Sequence, residues 1–340
     1  MWLLEINPHK AKKYAAEIYR QNRFSFDEKT GHKKQCSQEI KNTRSFQFLT
    51  KERFDQYLTS EPNRLLELHQ ELFNYILNRP DLEFNQKHFA EYRQDIIARK
   101  AHKRHSEYSA ITDDELSAIR HIFNYNEYVS GNPSFSYFLA ELLDCNTCTY
   151  CNRQYTLTIK DDDGSRIIRP QFDHWFAQSL YPDFALSYYN LIPSCSFCNS
   201  VLKKATETEV ETHIHPYLDK DRGFEFTYLR SHDGSYDVDV VITATDPEYR
   251  KRVDNTLRLF RIQEVYGAHS GLELKDMIDL SSAYTDDYID TLINKVMSNT
   301  NLDRETVIRL LFGVESNPNK YYYRPLSKFK CDILEKLLKK

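Results

Sequence analysis

The chain has 340 residues, 40% hydrophobic and 28% charged, a globular composition long enough to bury a core without disulfides. Its formal net charge of −4 excludes the strongly basic balance of a free-standing nucleic-acid binder, and no run approaches the roughly 18 apolar residues of a membrane span. Only 8 glycines are present, and neither a G-x-x-x-x-G-K-S/T nor a G-x-G-x-x-G loop occurs, so a nucleotide-binding loop is not expected and any ATP site should belong to another protein.

The opening Met1-Trp2-Leu3-Leu4-Glu5 has no basic region and its apolar run stops at once, so no signal peptide is expected and the protein is read as cytoplasmic. Residues 1–140 are predicted as a helical region. Leu65, Leu68, Leu72 and Ile76 recur at helical spacing after Pro62, which suits a first turn. Asp113-Asp114-Glu115 supplies the acids that favour a helix N-terminus, and Gly131-Asn132-Pro133 marks a break. Arg99, Lys100, Lys103 and Arg104, with His102 and His105, form a basic cluster that could track a phosphate backbone or simply make a solvated helix face.

Residues 141–216 form the predicted core of the function. Thr156–Ile159 and Arg166–Arg169 read as strands around the turn Asp161–Ser165, and Asn199 to Lys204 reads as the start of a helix. Residues 217–340 read as a hairpin plus a helical region. Phe224–Tyr228 and Tyr236–Thr243 flank the turn pair Asp233-Gly234, and Val253, Leu257 and Phe260 share one helix face after Asp246-Pro247. The tail from Leu326 to Lys340 reads as a basic amphipathic helix. With Tyr321-Tyr322-Tyr323-Arg324, its Lys328, Lys330, Lys339 and Lys340 suit stacking on nucleic acid, a partner surface, or the core.

Five of the seven cysteines lie between positions 145 and 198. Paired C-x-x-C spacing in a reducing compartment argues for metal, and Cys148, Cys151, Cys195 and Cys198 suit a closed, structural zinc site. Cys145 reads as a packed free thiol. Between the two pairs, Asp173 offers a hard oxygen for Mg²⁺ or Mn²⁺, and Asn199 can place its side-chain oxygen on the same ion. His174 is the side chain best poised to accept a proton near neutral pH, and Asn190 can hold the intervening loop by side-chain to backbone hydrogen bonds. His213 and His215 either extend this site or lie on the surface.

The order Cys-x-x-Cys, Asp-His, Asn-Leu, Cys-x-x-Cys-Asn, with Lys203 four residues on, resembles the HNH endonuclease family over residues 145–216. The resemblance implies a mainly α protein with a small α+β core: a zinc-stapled ββα-metal nuclease between helical flanks. It implies His174 as general base, Asp173 and Asn199 as ligands of a divalent catalytic ion, Asn190 as the loop-holding middle residue and Lys203 as a phosphate contact. The reaction would be metal-assisted hydrolysis of a phosphodiester, expected in DNA, leaving 5′-phosphate and 3′-hydroxyl ends. Two departures stand out: many members carry a histidine at the position of Asn199, and the loop from His174 to Asn190 is aromatic, with Trp175, Tyr181, Pro182 and Tyr188, and lacks the usual glycines. The layout is also similar to HNH effectors of Septu and retron-type anti-phage systems, which implies a separate ATPase partner. A zinc-stabilised binding module without turnover and an RNA-cleaving nuclease are the competing readings.

Overall fold

In the computed structural model the residues described are 3–22, 26–27, 30–33, 36–98, 105–296 and 302–338. Helices dominate, and their boundaries follow from local chemistry. Pro62 opens Pro62–Leu77, whose Leu65, Leu68, Leu72 and Ile76 are all fully buried, and Asn78 ends it in the left-handed conformation at φ 56°. Thr112 caps Asp113–Ile122 by accepting from Glu115 N. The Glu115 carboxylate is itself buried and takes the backbone N–H groups of Arg44 (2.9 Å) and Ser45 (2.7 Å), so it caps the neighbouring helix Arg44–Phe48. The break at Gly131-Asn132-Pro133 is a helix start: Asn132 accepts from Phe135 N at 3.1 Å and Pro133–Leu143 follows.

Among the described residues the β-strands form three separate antiparallel pairs. β1 (Ile159–Lys160) pairs with β2 (Arg166–Ile168), β3 (Gln171–His174) with β4 (Leu191–Ser194), and β5 (Phe224–Arg230) with β6 (Tyr236–Ile242). Gly164 (φ 83°) and Gly234 (φ 86°) take the positive φ that the two tight turns require. In β3–β4 the register sets Gln171 opposite Ser194, Asp173 opposite Ile192 and His174 opposite Leu191.

Buried side chains from Ala11 to Leu334 form one continuous core. Polar contacts also cross both ends of the 141–216 segment. Tyr14 donates to the Leu186 carbonyl (2.7 Å), Tyr266 to the Cys151 carbonyl (2.6 Å), and Leu326 N to the Asn152 carbonyl (2.7 Å). Among the described residues no helix is long and apolar enough to cross a membrane.

Three elements differ from expectation. The strand expected at Thr156–Ile159 is reduced to the exposed two-residue strand Ile159–Lys160. The helix expected after Cys198 is a single widened turn, Phe197–Lys203, closed by Lys204 N donating to the Asn199 carbonyl and stopped by Lys204 at φ 51°. The C-terminal helix Ser327–Leu338 is packed inward: Lys328 is buried, donates to Asp332 (2.6 Å) and lies over the Phe224 ring, Lys330 pairs with Glu273 (2.9 Å), and Tyr321 is in the core. That leaves the core-docking reading of this stretch. Lys339 and Lys340 lie outside the described residues, as do Arg99, Lys100, His102, Lys103 and Arg104. His105 stacks on His88 at 4.3 Å, beside Glu91 and Glu107.

Candidate active site

The sulfurs of Cys148, Cys151, Cys195 and Cys198 lie within 4.8 Å of one another, all buried, with Cys151 and Cys195 4.0 Å apart. A tetrahedral Zn–S₄ centre needs S···S separations of about 3.8 Å, so the cluster can hold a metal such as zinc. Backbone N–H groups already point at the sulfurs, Arg153 N at Cys151 (3.4 Å) and Cys198 N at Cys195 (3.5 Å). Hydrogen bonds among the thiols pull Cys151 and Cys195 down and push Cys198 up, while burial pushes Cys148 up. Four thiolates at this distance need a cation between them. Cys145 is apart: its thiol faces the Leu143 carbonyl, and burial pushes it up to about 12.

The first cysteine pair is joined to the β3–β4 hairpin by Thr149 N donating to the Pro193 carbonyl at 3.2 Å. Strand alternation puts Gln171 and Asp173 on one face of β3 and Phe172 and His174 on the other. The turn Phe197–Lys203 covers the first face. Asn199 Nδ2 donates to Gln171 Oε1 (3.0 Å), and one turn later Lys203 Nζ donates to Asp173 Oδ1 (3.2 Å) and to the His174 carbonyl (2.8 Å). Tyr150, inside the first C-x-x-C, donates to Asp173 Oδ2. Asp173 is 3% exposed and Lys203 1%, so both carboxylate oxygens are engaged and Lys203 faces Asp173 rather than an open groove.

On the other face His174 is half-buried. Its Nε2 donates to the Ala185 carbonyl at 3.0 Å, which fixes the proton on Nε2 and leaves the lone pair on Nδ1. Burial lowers its pKa, against the opposing pull of the Ala185 carbonyl and Asp173, so the ring is a neutral base at pH 7. Tyr125 meets it edge-on at 4.5 Å. The loop that carries Ala185 is tied to itself by Asn190, which is fully buried. Asn190 Oδ1 accepts from Phe176 N (2.7 Å), and its Nδ2 donates to the Phe176 and Phe184 carbonyls (both 3.2 Å).

His215 lies in the core, its ring tilted 54° against Trp175 at 4.3 Å, so a surface place does not fit it, while His213 is half-buried beside Thr212. Gln171 and Tyr150 were missed at the sequence level, although each had a signal: Gln171 is two residues before Asp173 on a strand, and Tyr150 sits inside the knuckle. Tyr125 and Ala185 had none, since one is distant in sequence and the other acts through its backbone.

No family model and no solved structure matches the chain. Septu protein PtuB of Bacillus thuringiensis is 27% identical over 118 residues, which are 34% of this chain and 42% of that protein. Protein ea31 of Escherichia phage lambda is 28% identical over 120 residues, 33% of this chain and 40% of that protein. The matched stretches span about two fifths of each relative's length, and the similarity to each is distant.

Proposed function

We propose that the chain is a metal-dependent endonuclease of HNH type that hydrolyses phosphodiester bonds in DNA, acting in an anti-phage system beside a separate ATPase. The observation that carries this reading is His174: a neutral imidazole with its Nδ1 lone pair uncommitted, on a strand whose other face carries Asp173 and, across Gln171, Asn199. His174 would take a proton from a water that attacks phosphorus. Asp173 and Asn199 supply the hard oxygens that would hold Mg²⁺ or Mn²⁺, an ion that neutralises charge on the phosphate and the leaving 3′ oxygen. Lys203 already places a positive charge against Asp173, so a divalent ion fits the site electrostatically once Lys203 withdraws. Asn190 keeps the loop, and through it the His174 tautomer, in place. The similarity to Septu protein PtuB supports the defence setting, and a partner would bring a chain of net charge −4 to DNA.

The test is cleavage of supercoiled plasmid with Mg²⁺ or Mn²⁺ by wild type and His174→Ala, with RNA digested in parallel and with co-purified partners present. Cutting of DNA that disappears in the variant, at unchanged zinc content, supports the reading; equal cutting by both sinks the general-base role. A binding module without turnover is the second reading, favoured by the engagement of both Asp173 oxygens, and it predicts DNA binding without cleavage by either protein.

A further inference from the structure

The aromatic loop between β3 and β4 is gripped from outside by the N-terminal helices. His69, on Pro62–Leu77 and 114 positions before Asp183, directs Nδ1 at both oxygens of that carboxylate, at 3.0 and 2.9 Å. His69 Nε2 faces Gln86 Oε1 at 3.0 Å, and the Gln86 amide nitrogen donates to the Leu180 carbonyl at 2.8 Å. That last bond fixes which end of Gln86 faces the ring, so both ring nitrogens of His69 face oxygens, Nδ1 the Asp183 carboxylate and Nε2 the Gln86 amide oxygen. The pair is out of water: His69 is 4% exposed and Asp183 0%. Tyr181, Phe184 and Phe73 pack around the ring with centroids 4.9, 5.4 and 4.6 Å away. Two residues beyond Asp183 stands Ala185, whose carbonyl takes the His174 Nε2 proton. The short turn Pro182–Phe184 connects them, and Tyr14 fixes the next carbonyl, Leu186.

We propose that His69 and Asp183 are positioning residues of the active site: the buried pair, extended by Gln86, sets the Ala185 carbonyl and thereby the tautomer and orientation of His174. Without it the Pro182–Phe184 turn loses its polar tie to the helix Pro62–Leu77, and the Ala185 carbonyl is no longer aimed at His174 Nε2. The N-terminal helical region is then part of the catalytic apparatus rather than an appendage to it. The inference deepens the nuclease reading and its catalytic consequence rests on it. The structural half stands alone, because the tautomer of His174 can be read without turnover.

The experiment uses the full-length, zinc-loaded chain labelled with ¹⁵N. Long-range ¹H–¹⁵N spectra in mildly alkaline buffer identify His174 by difference from His174→Gln and report which nitrogen carries its proton. Wild type is expected to show one tautomer, protonated at Nε2. In Asp183→Asn that pattern is expected to give way to a mixture, and plasmid cleavage to lose at least about tenfold in kcat with KM within about twofold, as for a misoriented base. A folded Asp183→Asn protein with the wild-type His174 pattern overturns the proposal. If Asp183→Asn does not fold, Gln86→Ala decides. It removes only the half-buried end of the chain, and an unchanged His174 pattern there overturns the proposal equally, while a mixed pattern supports it. Wild-type protein that cuts nothing even with co-purified partners present would refute the nuclease reading and leave the tautomer result to judge the positioning.

Discussion

Lys203 donates to Asp173 across 3.2 Å with both side chains buried, so an ammonium occupies the side of the carboxylate where a divalent ion is proposed to bind. Removing one member of a buried pair leaves the other charged and unpartnered, at a cost of about 3–5 kcal/mol. Lys203→Met is therefore expected to melt well below wild type in chelator, and to recover more than wild type does when Mn²⁺ is added, because the ion no longer competes with a tethered cation. Asp173→Asn in the same background should abolish the recovery. Thermal melts with and without Mn²⁺ measure both, and a Mn²⁺ shift no larger in Lys203→Met than in wild type would falsify competition at Asp173.

One zinc per chain is expected by elemental analysis. Cys195→Ser and Cys198→Ser should lose it and melt far below wild type, since structural zinc contributes about 10–16 kcal/mol of apparent folding free energy in zinc-finger peptides. Cys145→Ser should keep full zinc, because its sulfur is directed at the Leu143 carbonyl and not at the cluster. Loss of zinc in Cys145→Ser would mean that this thiol is a ligand.

The four-cysteine cluster was legible because local spacing encodes it: two C-x-x-C pairs can converge on one ion. The β5–β6 hairpin and the Pro62 helix were legible for the same reason, through a turn pair and a repeat. The hairpin carrying Asp173 and His174 was not, since the alternating patterns that read as strands lie upstream of it, at Thr156–Ile159 and Arg166–Arg169. What the sequence concealed are contacts set by tertiary packing. Lys203 was expected to contact phosphate, and nothing local marks its burial against Asp173. Lys328 looked like part of a basic face, yet its partner Asp332 is one turn away in the same helix and the aromatic rings beneath it belong to β5. His69 sits in an apolar helix repeat where a histidine gives no hint of a carboxylate 114 positions away.

Asn190 makes three buried hydrogen bonds to the backbone of its own loop. Asn190→Ala strands Phe176 N and the carbonyls of Phe176 and Phe184, each of which costs about 1–3 kcal/mol when left unsatisfied. A loss of at least about 3 kcal/mol in urea unfolding is expected on that basis, together with lower cleavage. Asn190→Asp keeps the acceptor for Phe176 N but turns both carbonyl contacts repulsive, so it should be no better than Ala. A loss below about 1 kcal/mol in either variant would show that the loop is held by its aromatic packing instead.

Acid should destabilise the protein through His215. Its ring is fully buried against Trp175, its Nδ1 accepts from Tyr217 N at 3.1 Å, and its Nε2 has no partner, so the neutral form is the one the fold accommodates. Burial, aided by the nearby positive charge of Arg252, pushes its pKa from the ordinary 6.5 down to about 3. The unfolded chain therefore binds a proton that the native state refuses, and stability is complete above pH 6.5 and falls as pH drops from 6.5 toward 3. At pH 5 the loss from this residue alone is about 2 kcal/mol. His215→Asn keeps an acceptor for Tyr217 N and removes the titration. Urea unfolding at pH 7 and pH 5 should show the wild type losing about 2 kcal/mol more than the variant between the two values. Parallel losses would mean that His215 is protonated in the native state and that the acid sensitivity arises elsewhere.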